Sequence, residues 1–365
     1  MKKTVLFSIL ALTASAFADG DMIAAQMKSD TQSNMTQQPS IVALTSARPD
    51  SDNGWYVFAD ALYWHADVGN TDWAFRNNTV TATDGVIRGP NHKLDFKWAW
   101  GFRVGLGANI NHDQWDTNLY YTWFHTENSN SIGTSGVAQR AVDNQGSTGI
   151  SNTTNAVRRV SQGSTEWTIH YSMLDWELGR WFYVSKSLAL RPHVGLKGGW
   201  INQEVDRRFS IDATTRAHAD LENEFWGIGT AGGFNTTWML GNVGRHGFSL
   251  FGDFAGALMY GHFDVDHKET TRDDNVVTGG VHVHDLDRNL AVPMLQAMFG
   301  LEWDLPFNRD RNHFALKVGY EFQYWFRQNQ MLNMKNSAPT GTVQYWRNSD
   351  DLALQGLTVD FRFDF

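Results

Sequence analysis

Residues 313–326 read HFALKVGYEFQYWF. Taken two at a time, Phe314, Leu316, Val318, Tyr320, Phe322, Tyr324 and Phe326 fall on one side, and His313, Lys317, Gly319, Glu321 and Gln323 on the other. A strand sends successive side chains to opposite faces, so an apolar, aromatic face backed by a charged one predicts a β-strand between two different environments. Residues 93–110 repeat the pattern. Leu94, Phe96, Trp98, Trp100, Phe102, Val104 and Leu106 oppose Lys93, Asp95, Lys97, Arg103 and Asn109. Residues 188–203 and 351–365 alternate likewise, while 165–182 does so only in its second half, through Leu174, Trp176 and Leu178. Helical spacing is hard to find.

The period-2 signal places strands at 55–66, 93–110, 115–127, 165–182, 188–205, 221–240, 247–264, 289–304, 312–327 and 351–365. The connections between them alternate strictly, long at 67–92, 128–164, 206–220, 265–288 and 328–350, short at 111–114, 183–187, 241–246 and 305–311. That is the signature of an all-β, up-and-down antiparallel transmembrane barrel of about ten strands, with twelve also open, carrying short periplasmic turns and long extracellular loops. A soluble sandwich or lipocalin-like barrel also alternates. It would turn its apolar face inward and crowd the other with surface charge, and its strands would be shorter than about 15 residues, or roughly 50 Å.

Composition agrees. The chain has 365 residues, 16 Trp, 10 Tyr, 23 Phe and no Cys, with a formal charge of -9 that disfavours a nucleic-acid partner. Nowhere do 18 apolar residues follow one another, which excludes an ordinary transmembrane helix. Lys2 and Lys3, the apolar run from Val5 to Ala18 and the small residues Ala16 and Ala18 predict a signal peptide over 1–18, cleaved before Asp19. Residues 19–54 form a polar leader, and 55–365 the barrel. The expected location is the outer membrane of a Gram-negative bacterium, with outer-membrane lipid as surroundings. Phe365, preceded at alternate positions by Phe363 and Phe361, resembles the signal that outer-membrane barrels present to their assembly machinery.

Four stretches carry a family resemblance: WYVFADALYW at Trp55–Trp64, LRPHVGLKGGWINQ at Leu190–Gln203, FWGIGTAGGFNTTW at Phe225–Trp238 and FSLFGDFAGALMYGHFDV at Phe248–Val265. They resemble the Legionella-type major outer membrane protein family, loosely over 55–365. The resemblance implies an outer-membrane barrel that forms pores. Relatives tend to carry a Pro-Arg pair in the Gly-rich strand where this chain has Thr230-Ala231, so an ion preference does not carry over.

Gly227-Ile-Gly229-Thr-Ala-Gly232 matches a dinucleotide-binding pattern, but Phe234, Thr236 and Trp238 continue a strand where a helix would have to begin. His282, His284, Asp285 and Asp287 lie in an expected loop and lack a tight third ligand, so no metal is predicted, and no cofactor. The face opposite the apolar one carries Asp60, Asp95, Asp175, Glu177, Asp253, Glu302, Glu321 and Asp360 with Lys97, Arg103, Arg191, Lys197, Lys317 and Arg362. These are the candidate lumen residues, read either as a hydrated channel lining or as a salt-bridged filling; polar filling favours water, and mixed signs argue against strong charge selectivity. Trp55, Tyr63, Trp64, Trp181, Trp238, Trp303, Tyr324 and Trp325 fit interfacial girdles. No catalytic constellation stands out, so the chain is expected not to be an enzyme but to pass small hydrophilic solutes or ions passively. The alternatives are a surface adhesin meeting host or cell-surface ligands through loop 128–164, and, further off, an outer-membrane hydrolase.

Overall fold

The computed structural model describes residues 54–77, 90–110, 114–133, 140–142, 159–210, 213–309, 311–337, 342–347 and 349–365. The expected signal peptide, nearly all of the leader and much of loop 128–164 lie outside the described residues.

Ten strands form the wall: β1 Trp55–Val68, β2 Ala99–Ile110, β3 Trp115–Gly133, β4 Gln162–Arg180, β5 Leu188–Ser210, β6 Thr215–Val243, β7 His246–Asp273, β8 Val276–Phe307, β9 Asn312–Asn329 and β10 Asp350–Asp364. Each pairs antiparallel with the next, and β10 returns to β1 from Tyr56↔Asp364 to Val68↔Leu352. The barrel is therefore closed, and every strand's backbone finds a partner without an edge facing lipid. Short strands add a small sheet from Asp72–Asn77, Asn91–Lys93, Arg140–Val142 and Arg159–Val160, and a hairpin from Leu332–Ser337 and Thr342–Arg347.

The strands are longer than the alternation predicts. β8 has 32 residues and β6 29, whereas a tilted membrane crossing takes about 9–11. The stretch 265–288, expected as a loop, is instead strand on both arms of a hairpin that turns at Asp274 and Asn275, both at positive φ. The stretch 206–220 is likewise mostly strand, in β5 and β6.

The reason is a change of phase along each strand. In the lower part of β5, Val194 and Leu196 face outward while Arg191 and Lys197 are buried inside; higher up, Ile201, Val205 and Phe209 are buried inside while Glu204 and Arg208 are exposed. β6 does the same, with Ile228 outward below and Leu221 and Phe225 inward above, where Glu222 and Glu224 face out. Lipid selects apolar side chains on the outer face, and water selects polar ones. A register row running Phe102, Trp123, Ser172, Trp200, Trp226 and His262 marks the change-over. Trp200 and Trp226 are exposed there, at the height where an indole bridges hydrocarbon and headgroup. Above this row the barrel is an extension in water with a core of its own.

Candidate permeation site in the barrel interior

The interior has two layers. The lower one is ionic. From β2, Arg103 donates to Asp60 Oδ2 on β1 at 2.8 Å and to Glu321 Oε1 on β9 at 2.7 Å, and its Nε reaches Thr122 Oγ1 at 3.0 Å. From β5, Arg191 donates to Asp116 Oδ1 at 2.6 Å, Glu177 Oε2 at 3.2 Å and Asn235 Oδ1 at 2.8 Å. Six residues along β5, Lys197 Nζ lies 2.5 Å from Asp175 Oδ1 with both side chains buried. On β9, Lys317 sits over the Phe251 ring and is paired in register with Glu302 and Asp360. Arg362 stacks 3.8 Å above the Tyr56 ring and holds Asp364 at 2.8 Å. Asp253 accepts from Asn235 Nδ2 at 2.9 Å.

These groups surround a cavity of about 160 Å³ lined by Asp60, Arg103, Glu177, Arg191, Lys317, Asp360 and Arg362 among others. Asp60, Asp175 and Asp360 each keep one buried carboxylate oxygen without a protein partner. A buried carboxylate oxygen left dry is costly, so this layer has the polarity to hold ordered water.

The upper layer is rich in aromatic and aliphatic side chains, with the amides of Gln203, Asn223, Gln323 and Gln328 buried among them. Leu62, Trp64, Phe124, Ile169, Tyr171, Met173, Ile201, Phe225, Met259, Phe263, Met294 and Trp325 belong to one buried cluster inside the wall. Tyr171 on β4 and Trp325 on β9 meet with ring centroids 6.0 Å apart, and Phe225 meets Trp325 at 6.4 Å. In a ring of ten, β4 and β9 are five strands apart, so the contact crosses the whole lumen. The segment Gln328–Leu332 adds to the filling. After Arg327, at positive φ, five successive residues are buried, and Leu332 O lies 2.9 Å from His267 Nδ1.

Among the candidates named from sequence, Asp60, Arg103, Asp175, Glu177, Arg191, Lys197, Asp253, Glu302, Lys317, Glu321 and Arg362 turn inward in this lower layer. Asp95 and Lys97 do not. They lie before β2 begins, in a stretch without strand pairing, and are exposed while Leu94 and Phe96 pack into the interior cluster. The alternation simply runs in opposite phase before and after Lys97, which the apolar count alone hid. Trp64 and Trp325, expected in the girdle, are fully buried in the upper layer. Above the ionic layer the expected polar filling gives way to a mixed one, in which buried amides stand among aromatic and aliphatic side chains. His282 and His284 stand exposed on β8, not in a loop. Phe361, Phe363 and Phe365 face outward at the closing strand and its end. Sequence reasoning missed Asp116, the strongest partner of Arg191, and the Tyr171–Gln323–Trp325 crossing, because neither shows until strands are placed around the ring.

A family model described as the Legionella pneumophila major outer membrane protein precursor matches residues 47–365. The chain belongs to this family. A comparison with curated proteins finds no match. Among solved structures, this Legionella-family barrel is similar to the outer membrane protease OmpT from Escherichia coli, at 8% identity and a TM-score of 0.36, covering 88% of this chain and 99% of that one. It is also similar to the translocator domain of the autotransporter NalP from Neisseria meningitidis, at 10% identity and a TM-score of 0.31, covering 96% and 98%. A Pseudomonas aeruginosa FadL homologue matches at 10% identity and a TM-score of 0.24, covering 86% and 90%. Likeness at this level carries no inference about activity. Family and closed barrel together make this family member an outer-membrane β-barrel protein.

Proposed function

We propose that the chain is a narrow outer-membrane pore for ions or small hydrophilic solutes that rests closed. The observation that carries this reading is the cavity of about 160 Å³ among ion-paired side chains of both signs, with the free carboxylate oxygens of Asp60 and Asp360 in its lining. A barrel that served only as an anchor would be filled at lower cost by apolar side chains, since buried ion pairs seldom repay their desolvation. The upper, largely aromatic layer is then a constriction that must yield for conduction, a recurring way to close a channel. No bond is made or broken in such passage, so the reading is transport without catalysis.

Planar-bilayer recording of the refolded chain tests it. Discrete conductance steps that grow when Trp325→Gly thins the aromatic layer support a pore. A folded barrel that stays silent in both forms overturns it.

The contact between Tyr171 and Gln323 favours a second reading, an interaction protein on a filled barrel. Deleting residues 130–160 separates the two: lost attachment to cells with conductance intact favours surface interaction, and unchanged attachment favours the pore.

A further inference from the structure

Cross-strand register lays out the solvated outer wall above the tryptophan row. Glu204, Glu222, Asp266 and His284 stand side by side, and in the next row Asp206, Asp220, Lys268 and His282. Above Asp220 on the same face of β6 comes His218, whose Nε2 lies 3.0 Å from Asp220 Oδ1 and 3.2 Å from Asp206 Oδ2. One nitrogen and two carboxylate oxygens, one from each residue, all lie within 4.8 Å of one another, the single such convergence among the described residues. Two of the donors sit on one strand and the third on its hydrogen-bonded neighbour, so the backbone ladder fixes their spacing.

We propose that Asp206, His218 and Asp220 bind a divalent metal ion of the zinc class on the outer wall of the extension. Ligands at about 2.0–2.2 Å from a tetrahedral ion are roughly 3.4 Å apart, so the two nitrogen–oxygen separations need only a small expansion to admit one. Imidazole with two carboxylates suits zinc and its late first-row neighbours, whereas calcium and magnesium prefer oxygen alone. The fourth position faces solvent, since the three side chains are 30 to 42% exposed.

The local field favours a cation. Glu204, Glu222, Glu224, Asp264 and Asp266 surround the trio on β5, β6 and β7. Glu222 stands in register between Glu204 and Asp266, so three carboxylates lie side by side in the row next to Asp206 and Asp220. Four cations face the same ground, and Arg216 and Arg272 line one hollow with His218. Arg208, on an exposed side chain, holds Asp206 Oδ2 at 2.6 Å and must swing away, and Lys268 is paired in register with Asp220. His282 and His284, set aside as a metal site from the sequence, both approach Asp266 but spread apart from each other.

Zinc chloride titrated by calorimetry into the folded full chain tests the site, with heat-modifiable gel migration to certify folding of every variant. One saturable event is expected, weakened by roughly 10-fold or more in Asp206→Asn and in His218→Asn, as loss of a ligand entails, and not displaced by excess calcium. Binding should weaken as the pH falls, because protons compete with the metal for the ligand atoms and are released to solvent when it binds. The double variant His282→Asn/His284→Asn should keep the event. No saturable heat, or equal affinity in His218→Asn, overturns the proposal, as does loss in the His282/His284 variant with retention in the other two.

Discussion

Tyr171 Oη donates to Gln323 Oε1 at 2.9 Å across the full width of the barrel, joining β4 to the strand five places away around the ring. Both residues are buried, so the bond lies in a dry place where a lost partner leaves the other stranded. Tyr171→Phe should lower stability by roughly 1–3 kcal/mol, the cost of an unsatisfied buried amide, read from the urea midpoint in detergent. Trp325→Ala, which empties a fully buried indole site, should cost roughly 3–5 kcal/mol. A Trp325→Ala chain as stable as the parent would mean that the aromatic layer does not bear on folding.

The ion pairs of the lower layer give a second prediction. Arg103 bridges Asp60 and Glu321, all three buried. Arg103→Met strands two carboxylates and should destabilise by roughly 3–5 kcal/mol, and adding Glu321→Gln should recover part of the loss. A double-mutant cycle on unfolding midpoints checks this, and strict additivity would show that the pair is not coupled.

The phase change predicts opposite responses at neighbouring heights on β5. Leu196→Arg, facing lipid, should cost roughly 2–4 kcal/mol. Glu204→Ala, outward on the solvated extension, should stay within about 0.5 kcal/mol, whereas Val205→Asp, inward beside it, should destabilise strongly. Folding midpoints of the three order the environments directly. Gly319 is unsuited to such a scan, because a side chain there meets the Phe299 carbonyl oxygen at 2.6 Å.

Acidity should act on the extension through Glu222. Its carboxyl is raised by burial and by like charges. A group raised in the folded state stabilises below its unfolded pKa and loses that contribution as the pH climbs through the folded value. Hydrogen exchange of β6 and β7 amides should therefore show more protection near pH 4 than near pH 8, and Glu222→Gln should narrow the difference. A variant with an unchanged pH response would assign the effect to other groups.

How much of this was legible in the sequence depends on which solvent each face meets. The stretch 313–326 announced β9 because lipid imposes an unbroken apolar outer face, and ten such strands with alternating long and short connections gave the closed ring. The same rule failed at 265–288, where water replaces lipid outside and the alternation of β7 and β8 continues with polar residues out and Val265, His267 and Glu269 in. Lys197 and Asp175 were readable as inward charges, since each lies between outward apolar neighbours. Their pairing follows from the register of the β4–β5 hairpin, where they stand directly opposite, whereas that of Arg191 with Asp116 joins two strands that are not neighbours in the wall. Asp95 and Lys97 mislead because the phase breaks just where the strand pairing begins.

The change of phase on the strands also fixes elevation. With apolar flanks below the tryptophan row and carboxylates above it, sinking would drag Glu204, Glu222 and Glu224 into hydrocarbon, and rising would lift Val194, Leu196 and Ile228 into water. Either displacement is opposed all around the circumference at once. The molecule therefore has one depth in the bilayer, and where the bilayer is too thin or too thick the lipid must deform to meet the protein.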